Sequence, residues 1–186
     1  THLIQAIGNQ LKHTGGYQSI YYTTTERFGT DIVNAIQQNN VQKVKERYRN
    51  YQLLILDDIQ FLSRKEKMQE ELFHIFNSLY EDNKQIIFSS DRHPNQITDI
   101  ADRLQTRFAQ GMTIDVSEPD HESRVAILRK KAASNGYVVS EEIANMLADE
   151  VRGSIRDLEG ALNRVLCEAQ LRGRELKISE VHDIVK

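Results

Sequence analysis

Two adjacent carboxylates, Asp57 and Asp58, end an apolar run within the stretch LLILDDIQFL at residues 53–62. Like charges this close repel each other, and burying either of them is costly unless something compensates. A magnesium ion or a bound phosphate would compensate, with one carboxylate supporting the metal and the other orienting a water molecule. Solvent exposure at the end of a strand would also account for the pair, and both explanations remain open from these residues alone.

A second apolar run, QIIFSSD at residues 85–91, also ends in hydroxyl and acidic groups, Ser90 and Asp91. In open α/β sheets, ligands bind outside the carboxyl ends of the strands. If the two runs are neighbouring strands, these polar groups meet at one edge of the sheet. The sequence therefore predicts a magnesium–phosphate site at that edge.

The elements that would position these groups alternate between helix and strand. Periodicity predicts strands at 19–24, 53–58, 85–91 and 113–116, and helices at 2–13, 26–38, 41–51 and 66–83. The helix at 26–38 is predicted to place Phe28, Ile32, Val33 and Ile36 on one apolar side. Buried strands separated by helices indicate an α/β fold with a parallel sheet covered by helices on both faces.

After Pro119 the pattern becomes entirely helical. The helical segments predicted there are 121–136, 140–151, 154–173 and 178–186. We therefore predict two parts, an α/β core at residues 1–118 and a small all-helical lid at residues 119–186.

Composition narrows the class of protein. The chain has 186 residues, of which 39% are hydrophobic and 27% charged, as is typical of a globular domain. A net charge of -3 argues against a wholly basic nucleic-acid coat but leaves room for a local basic patch. Cys167 is the only cysteine, so we expect no internal disulfide, a reducing compartment and a core position for this side chain. No apolar run approaches the roughly 20 residues that span a bilayer.

Several longer stretches, in this order and spacing, resemble one known family. LLILDDIQFL, QEELFHIFNSLYEDNKQIIFSSDR, DRLQTRF and GSIRDLEGALNRV are similar to the AAA+ domain of the DnaA family of bacterial chromosomal replication initiators. The resemblance covers essentially the whole chain. It implies a P-loop-type AAA+ core with a helical lid, ATP or ADP and Mg²⁺ as cofactors, and a cytoplasmic location.

The resemblance also implies roles for the acidic residues. LLILDD matches the Walker B strand, so that Asp57 would support magnesium and Asp58 would activate water. Many AAA+ proteins carry Asp-Glu at this point, and the shorter Asp58 implies slow hydrolysis. Asp91 matches sensor 1, beside the γ-phosphate. Thr1 matches the last residue of the phosphate-binding loop, whose hydroxyl ligates magnesium.

Arg103 and Arg107 are four residues apart and therefore share one face of a helix. From spacing alone, an exposed face paired with Asp99 or Asp102 is the favoured interpretation. The resemblance instead implies that Arg107 is an arginine finger directed at the ATP of a neighbouring subunit. It implies that Arg103 supports the same subunit interface.

Arg156 lies in the first turn of a predicted helix, because Ser154 and Asp157 form an N-terminal capping pattern. A cation there opposes the helix dipole, and a bound anion would resolve the conflict. A solvated arginine is the alternative. The resemblance implies sensor 2, contacting the nucleotide from the lid.

Residues 26–50 resemble the extra helical pair of initiator-type AAA+ proteins, which implies a helical filament and a path for single-stranded DNA. Lys43, Lys45 and Arg47 supply positive charge suited to phosphates. Val33 and Lys67 match positions that face the strand. A basic solvated helix remains the alternative for each single residue.

Two parts of the family pattern are not among these residues: the glycines and lysine of the phosphate-binding loop, and the helix-turn-helix that reads duplex origin DNA. We therefore expect residues before Thr1 in the intact protein, and little or no ATP binding by the chain as written.

The predicted function is that of an initiator and weak ATPase that assembles head-to-tail with ATP, engages and opens origin DNA, and is reset by hydrolysis. A replicative helicase and regulators are further partners that the resemblance implies. Rival hypotheses are a regulatory homologue that stimulates hydrolysis in the initiator, an AAA+ helicase loader, and an interaction module without nucleotide chemistry.

Overall fold

The computed structural model describes residues 1–185, which form two compact units, Thr1–Thr113 and a second unit that begins at Ile114. The predicted division after residue 118 falls in the segment between the helices that end at Gln110 and begin at His121. None of the helices at residues 1–185 combines the length and apolar character that crossing a bilayer requires.

A parallel sheet forms the centre of the first unit. Its three strands lie in the order β1 (Ile20–Thr24), β2 (Leu53–Asp57) and β3 (Gln85–Phe88). The register places Thr24 opposite Asp57, so the carboxyl ends of β1 and β2 lie level. Every residue of β2 is buried, as expected for a central strand of a sheet covered on both faces.

Five helices surround this sheet: α1 (His2–His13), α2 (Thr25–Gln37), α3 (Val41–Arg49), α4 (Glu66–Glu81) and α5 (Asp102–Gln110). One face of β2, Leu53 and Ile55, packs with Ile4 of α1. The other face, Leu54 and Leu56, packs with residues of α2, α4 and α5. The predicted α/β fold with helices on both faces is confirmed.

The strand predicted at residues 113–116 is wrong, because this segment is irregular and its Ile114 and Val116 are exposed. β propensity expresses how well a side chain packs on a sheet, so an apolar segment becomes a strand only beside a partner strand. Within residues 1–185 the sheet ends at β3, and this segment pairs with no strand.

The apolar side predicted for α2 is correct in part. Phe28 and Ile32 are buried, whereas Val33 is 48% exposed and Ile36 42% exposed. Ala35 takes the next buried position instead, so the buried face follows steps of four and three residues. As a consequence, Val33 is accessible to a partner.

The second unit contains four helices within the described residues, α6 (His121–Ser134), α7 (Glu141–Glu150), α8 (Ile155–Arg172) and α9 (Ile178–Val185). All four correspond to predicted helical segments. Leu128, Leu147 and Leu162 are among the residues that form its apolar core. Cys167 was predicted to be a core residue and is exposed. Val165 and Leu166 hold the core positions, and the next residue along a helix is rotated away by about 100°.

Candidate nucleotide site and nucleic-acid groove

Asp57 ends β2 with only 1% of its surface exposed. One carboxylate oxygen accepts a hydrogen bond of 2.7 Å from the Tyr22 hydroxyl, which comes from β1. The other oxygen accepts a hydrogen bond from the Ser89 hydroxyl, directly after β3. Both strands that flank β2 therefore contribute a hydroxyl, and the carboxylate is held from two sides.

These hydrogen bonds affect the ionisation of Asp57 and of Tyr22. Burial by itself would raise the pKa of the Asp57 carboxyl, but the hydrogen bonds from Ser89 and Tyr22, together with the contact and charge of Thr1, outweigh burial and hold the pKa below its ordinary value of 3.8. Burial, together with the bond to Asp57, raises the pKa of the Tyr22 phenol. At neutral pH the carboxylate is therefore ionised and the phenol remains a proton donor.

Asp58 adopts the left-handed backbone conformation with φ of 61°, which is uncommon for a residue with a side chain and is concentrated at functional sites. Its backbone N–H donates to the Ser89 hydroxyl oxygen at 3.0 Å. Its carboxylate accepts from the side-chain amide of Gln60 at 3.1 Å. The Ser89 hydroxyl thus links the two aspartates, and only Asp57 is fully buried.

Asp91 lies at the same edge of the sheet, where its backbone N–H is 3.4 Å from the Gln60 amide oxygen. Its carboxylate forms two hydrogen bonds of 2.8 Å with Arg92, which hold the pKa of the carboxyl below its usual range. Gln60 therefore connects Asp91 to Asp58. A small cavity of about 220 Å³ is lined by Gln60, Asp91, Arg92 and their neighbours.

Thr1 lies beside the buried carboxylate, with its amino nitrogen 3.8 Å from Asp57 Oδ1. Magnesium typically takes one or two carboxylates or hydroxyls from a protein and completes its shell with water and phosphate oxygens. Among residues 1–185 no group of three His, Cys, Asp or Glu side chains could enclose a metal on its own. The donor set fits a magnesium ion shared with a phosphate, and Asp57 and Thr1 would hold it.

Gln69 of α4 organises the neighbouring loops and was not singled out from the sequence. Its buried amide donates to the carbonyl oxygens of Leu62 at 2.9 Å and Asp99 at 2.8 Å. Its amide oxygen accepts from the backbone N–H of Ala101 at 2.8 Å. Gln69 therefore ties the turn after β2 to the start of α5.

Arg103 and Arg107 lie on one face of α5, as their spacing predicts, with guanidinium carbons 4.8 and 6.0 Å from the centre of the Phe73 ring. Within residues 1–185, neither arginine forms an ion pair with Asp99 or Asp102. Asp99 pairs with Arg64 at 3.0 Å instead. Arg107 donates a hydrogen bond of 2.9 Å to the side-chain amide oxygen of Gln110, and neither guanidinium has a carboxylate partner within the described residues.

The start of α8 has the predicted capping box. The Ser154 hydroxyl oxygen accepts from the backbone N–H of Asp157 at 3.3 Å, and the Asp157 carboxylate accepts from the backbone N–H of Ser154 at 2.8 Å. Arg156 is exposed in the first turn of this helix. Arg124 of α6 donates hydrogen bonds to the carbonyl oxygen of Ala148, at 3.2 Å, and to that of Val151, in the segment between α7 and α8.

A groove of about 750 Å³ lies between α2 and residues 64–68. It brings together Val33 and Lys67, which were predicted to contact a single strand. Arg64 and Lys65 line it as well and were missed. The charged run SRKEK was the available signal, but nothing in the sequence shows that it lies opposite α2.

The cations predicted on α3 are placed differently. Lys45 forms an ion pair of 2.6 Å with Glu71, and their side chains are only 17% and 15% exposed. Arg47 pairs with Asp31, which also accepts a hydrogen bond of 2.9 Å from the Tyr48 hydroxyl. Lys43 is exposed on α3 but is not among the residues that line the groove. Val33 and Lys67 therefore line the groove, whereas Lys43, Lys45 and Arg47 do not.

Comparison with known proteins points in the same direction as this geometry. Residues 1–115 match the family model of the bacterial DnaA ATPase domain. The chromosomal replication initiator protein DnaA of Lactiplantibacillus plantarum is 45% identical over 186 residues, which are all of this chain and 41% of that protein. The chain thus spans well under half the length of this curated relative.

Solved structures give the same result. The crystal structure of domain III of the Thermotoga maritima replication initiation protein DnaA aligns with a TM-score of 0.93 and 34% identity, covering 98% of this chain and 77% of that one. A replication initiator DnaA bound to AMPPCP and single-stranded DNA aligns with a TM-score of 0.76 and 36% identity, covering 87% of this chain and 50% of that one.

Proposed function

Since the chain belongs to the bacterial DnaA family, we propose that it is the ATP-binding core and lid of a longer replication initiator that engages single-stranded origin DNA. The observation that carries the proposal is the buried, ionised Asp57, held beside Thr1 at the carboxyl end of the central strand. Burying an ionised carboxylate costs free energy, and a bound cation would compensate for this cost.

The acidic edge of the sheet would hold the nucleotide. The Thr1 hydroxyl and the Asp57 carboxylate would hold magnesium, which when bound neutralises phosphate charge. The Asp58 carboxylate would orient water and accept its proton, while Gln60 limits its movement. Asp91 would face the γ-phosphate region after exchanging its contact with Arg92. The short reach of Asp58 supports slow hydrolysis, so that ATP acts mainly as a switch for assembly.

Cations from other parts of the molecule would complete the site. Arg156, exposed at the start of α8, would contact the phosphates from the lid. Arg107 would reach the nucleotide of the next subunit, and Arg103 would support that interface. The position of both arginines against Phe73, with no carboxylate partner among residues 1–185, favours these roles. Head-to-tail assembly follows, because each subunit supplies an arginine to its neighbour's site.

The groove between α2 and residues 64–68 would bind a single strand. Lys67, Arg64 and Lys65 offer charge to phosphates, and the exposed Val33 offers an apolar contact to a sugar or base. Lys43, which is exposed on α3 and does not line the groove, would add positive charge for the phosphates. Lys67 and Arg64 are each paired with a carboxylate, but both of these pairs are highly exposed. Lys45 and Arg47 would contribute less than the sequence predicts, because their ion pairs are less exposed.

Assembly of the full-length protein tests this proposal. With ATP and Mg²⁺, we expect the parent protein to form large oligomers in light scattering, and Arg156→Ala and Arg107→Ala to remain small. Arg129→Ala, which removes an exposed arginine from α6, is the matched control and should assemble like the parent. Equal assembly by all four proteins, with and without ATP, would support an interaction module without nucleotide chemistry instead.

A further inference from the structure

Tyr22 and Ser89 have no role in the chemistry described so far, although their hydroxyls make the two side-chain hydrogen bonds to Asp57. We propose that these two hydroxyls form a clamp without charge that positions Asp57 for magnesium. The proposal rests on the proposed nucleotide site and makes Tyr22 and Ser89 positioning residues, since neither would touch the metal or the nucleotide.

The reach of Tyr22 follows from the register of the sheet. Tyr22 lies opposite Ile55, two residues before the pair formed by Thr24 and Asp57. Residues two apart on paired strands lie on the same face, and only a long side chain spans this diagonal. The phenol does so while its ring packs with Ile4, Leu53 and Ile55. The ring is therefore held by packing, and the hydroxyl donates its hydrogen bond to Asp57.

The absence of charge in the donors is the second step of the argument. A buried carboxylate is commonly satisfied by arginine or lysine, but such a partner would cancel the charge that a metal needs. The side chains that bind Asp57 within residues 1–185 donate hydrogen bonds and leave its negative charge in place. Two fixed oxygens also keep the carboxylate from rotating, which lowers the cost of ordering it around an ion.

The same unit contains a contrasting pair. The Asp31 carboxylate also accepts from a tyrosine, Tyr48, but its second partner is the guanidinium of Arg47. There the charge is neutralised within the protein, as a purely structural contact requires. One tyrosine–aspartate pair in this unit thus includes a side-chain cation and the other does not. The Thr1 amino group, 3.8 Å from Asp57 Oδ1, is a main-chain group.

Magnesium titration of the full-length protein tests the clamp. Binding of a fluorescent ATP analogue is measured first with EDTA and then with increasing Mg²⁺, for the parent, Tyr22→Phe and Ser89→Ala. We expect equal affinities with EDTA. We expect the Mg²⁺ concentration at half-effect to rise roughly tenfold in both variants, as is typical for loss of a hydrogen bond to a metal ligand.

The control is Tyr48→Phe, which removes the hydroxyl of the contrasting pair and should leave the Mg²⁺ midpoint unchanged. Electron paramagnetic resonance of Mn²⁺ on the protein–nucleotide complex gives a second readout, and its affinity should fall by the same factor. Thermal unfolding identifies a variant that does not fold, and the other clamp variant then carries the test.

Two results would overturn the clamp: a folded clamp variant whose Mg²⁺ midpoint equals that of the parent, or one whose affinity falls equally with and without the metal. The second result would assign the hydroxyls to structure alone. A parent protein that binds ATP with no dependence on Mg²⁺ would instead contradict the proposed nucleotide site itself.

Discussion

The two units of the molecule differ in whether they bury polar side chains. The first unit buries Thr23, Thr25, Asp57 and Gln69, whereas the fully buried side chains of the second unit, within the described residues, are all apolar. The second unit satisfies its polar groups at the surface, through the Ser154 capping box and through ion pairs around Glu180. Burying polar groups lowers stability unless each finds a partner. Each of these groups in the first unit has a hydrogen-bond partner, and removing one member of a bond would leave a buried polar group unsatisfied. We therefore expect single substitutions at these sites to have larger effects.

The largest effect is expected from Asp57→Asn. Asparagine keeps the shape but removes the charge, and it presents an N–H group to a hydroxyl donor. We expect Mg²⁺-dependent nucleotide binding by the full-length protein to weaken about 100-fold, since a ligand and not only its support is lost. Asp183→Asn, on the surface of the second unit, is the control and should bind like the parent. A comparable loss of nucleotide affinity in both variants would contradict the expected difference between the two units.

Gln69→Leu should be the most destabilising change that leaves the acidic residues intact. Three hydrogen bonds are lost, and the N–H group of Ala101 is left without a partner. The carbonyl oxygens of Leu62 and Asp99 retain only their bonds from backbone N–H groups. We expect the free energy of unfolding to fall by about 3 kcal/mol in urea titration. Gln170→Leu in the second unit loses only an exposed bond of 3.0 Å from Tyr137 and should cost less than about 0.5 kcal/mol. Equal losses would contradict the comparison.

Ser154→Ala tests the strongest polar feature of the second unit. Loss of the N-cap should lower the stability of this unit by about 1 kcal/mol in thermal or urea unfolding. Ser154→Thr keeps the hydroxyl and should retain most of the stability. A cost larger than that of Gln69→Leu would show that surface polar groups matter more here than buried ones.

The smallest effect concerns acid stability of the second unit. Hydrogen bonds from Arg174 and from the Lys177 backbone lower the pKa of Glu180 from 4.5 to about 2. A depressed pKa stabilises the folded state above the ordinary value, and this contribution is lost as pH falls from 4.5 toward 2. Glu180→Gln should therefore unfold with less dependence on pH in this window. Because the group lies at the surface, salt should weaken the effect. Glu175→Gln is the control, and its unfolding should depend on pH as that of the parent does.

The sequence predicted those features that depend on local pattern. Helix α1, the buried strand β2 and the Ser154 cap are specified by residues close to one another in the chain. It failed where a segment depends on distant partners, as for residues 113–116, or on rotation within a helix, as for Cys167 and Val33.

The candidate site shows the same division. Asp57, Asp58 and Asp91 could be proposed from the sequence because they follow apolar runs that could be recognised as strands. Tyr22 could not be found, because its partner Asp57 is 35 positions away and their contact depends on the register of two strands. Lys45 looked available for DNA, and only the fold shows that Glu71 of α4 already neutralises it.

We propose that nucleotide bound at the acidic edge controls engagement of a single strand by the groove. Fluorescence anisotropy of a labelled single strand, titrated with the full-length protein in ATP, in ADP and without nucleotide, tests it most directly. We expect tight binding only with ATP. Lys67→Ala should weaken this binding and reduce the slope of log affinity against log salt concentration by about 0.7. Lys130→Ala on α6 should change neither. Binding of equal strength in all three conditions, or ATP binding without any strand engagement, would show that the nucleotide does not control the groove.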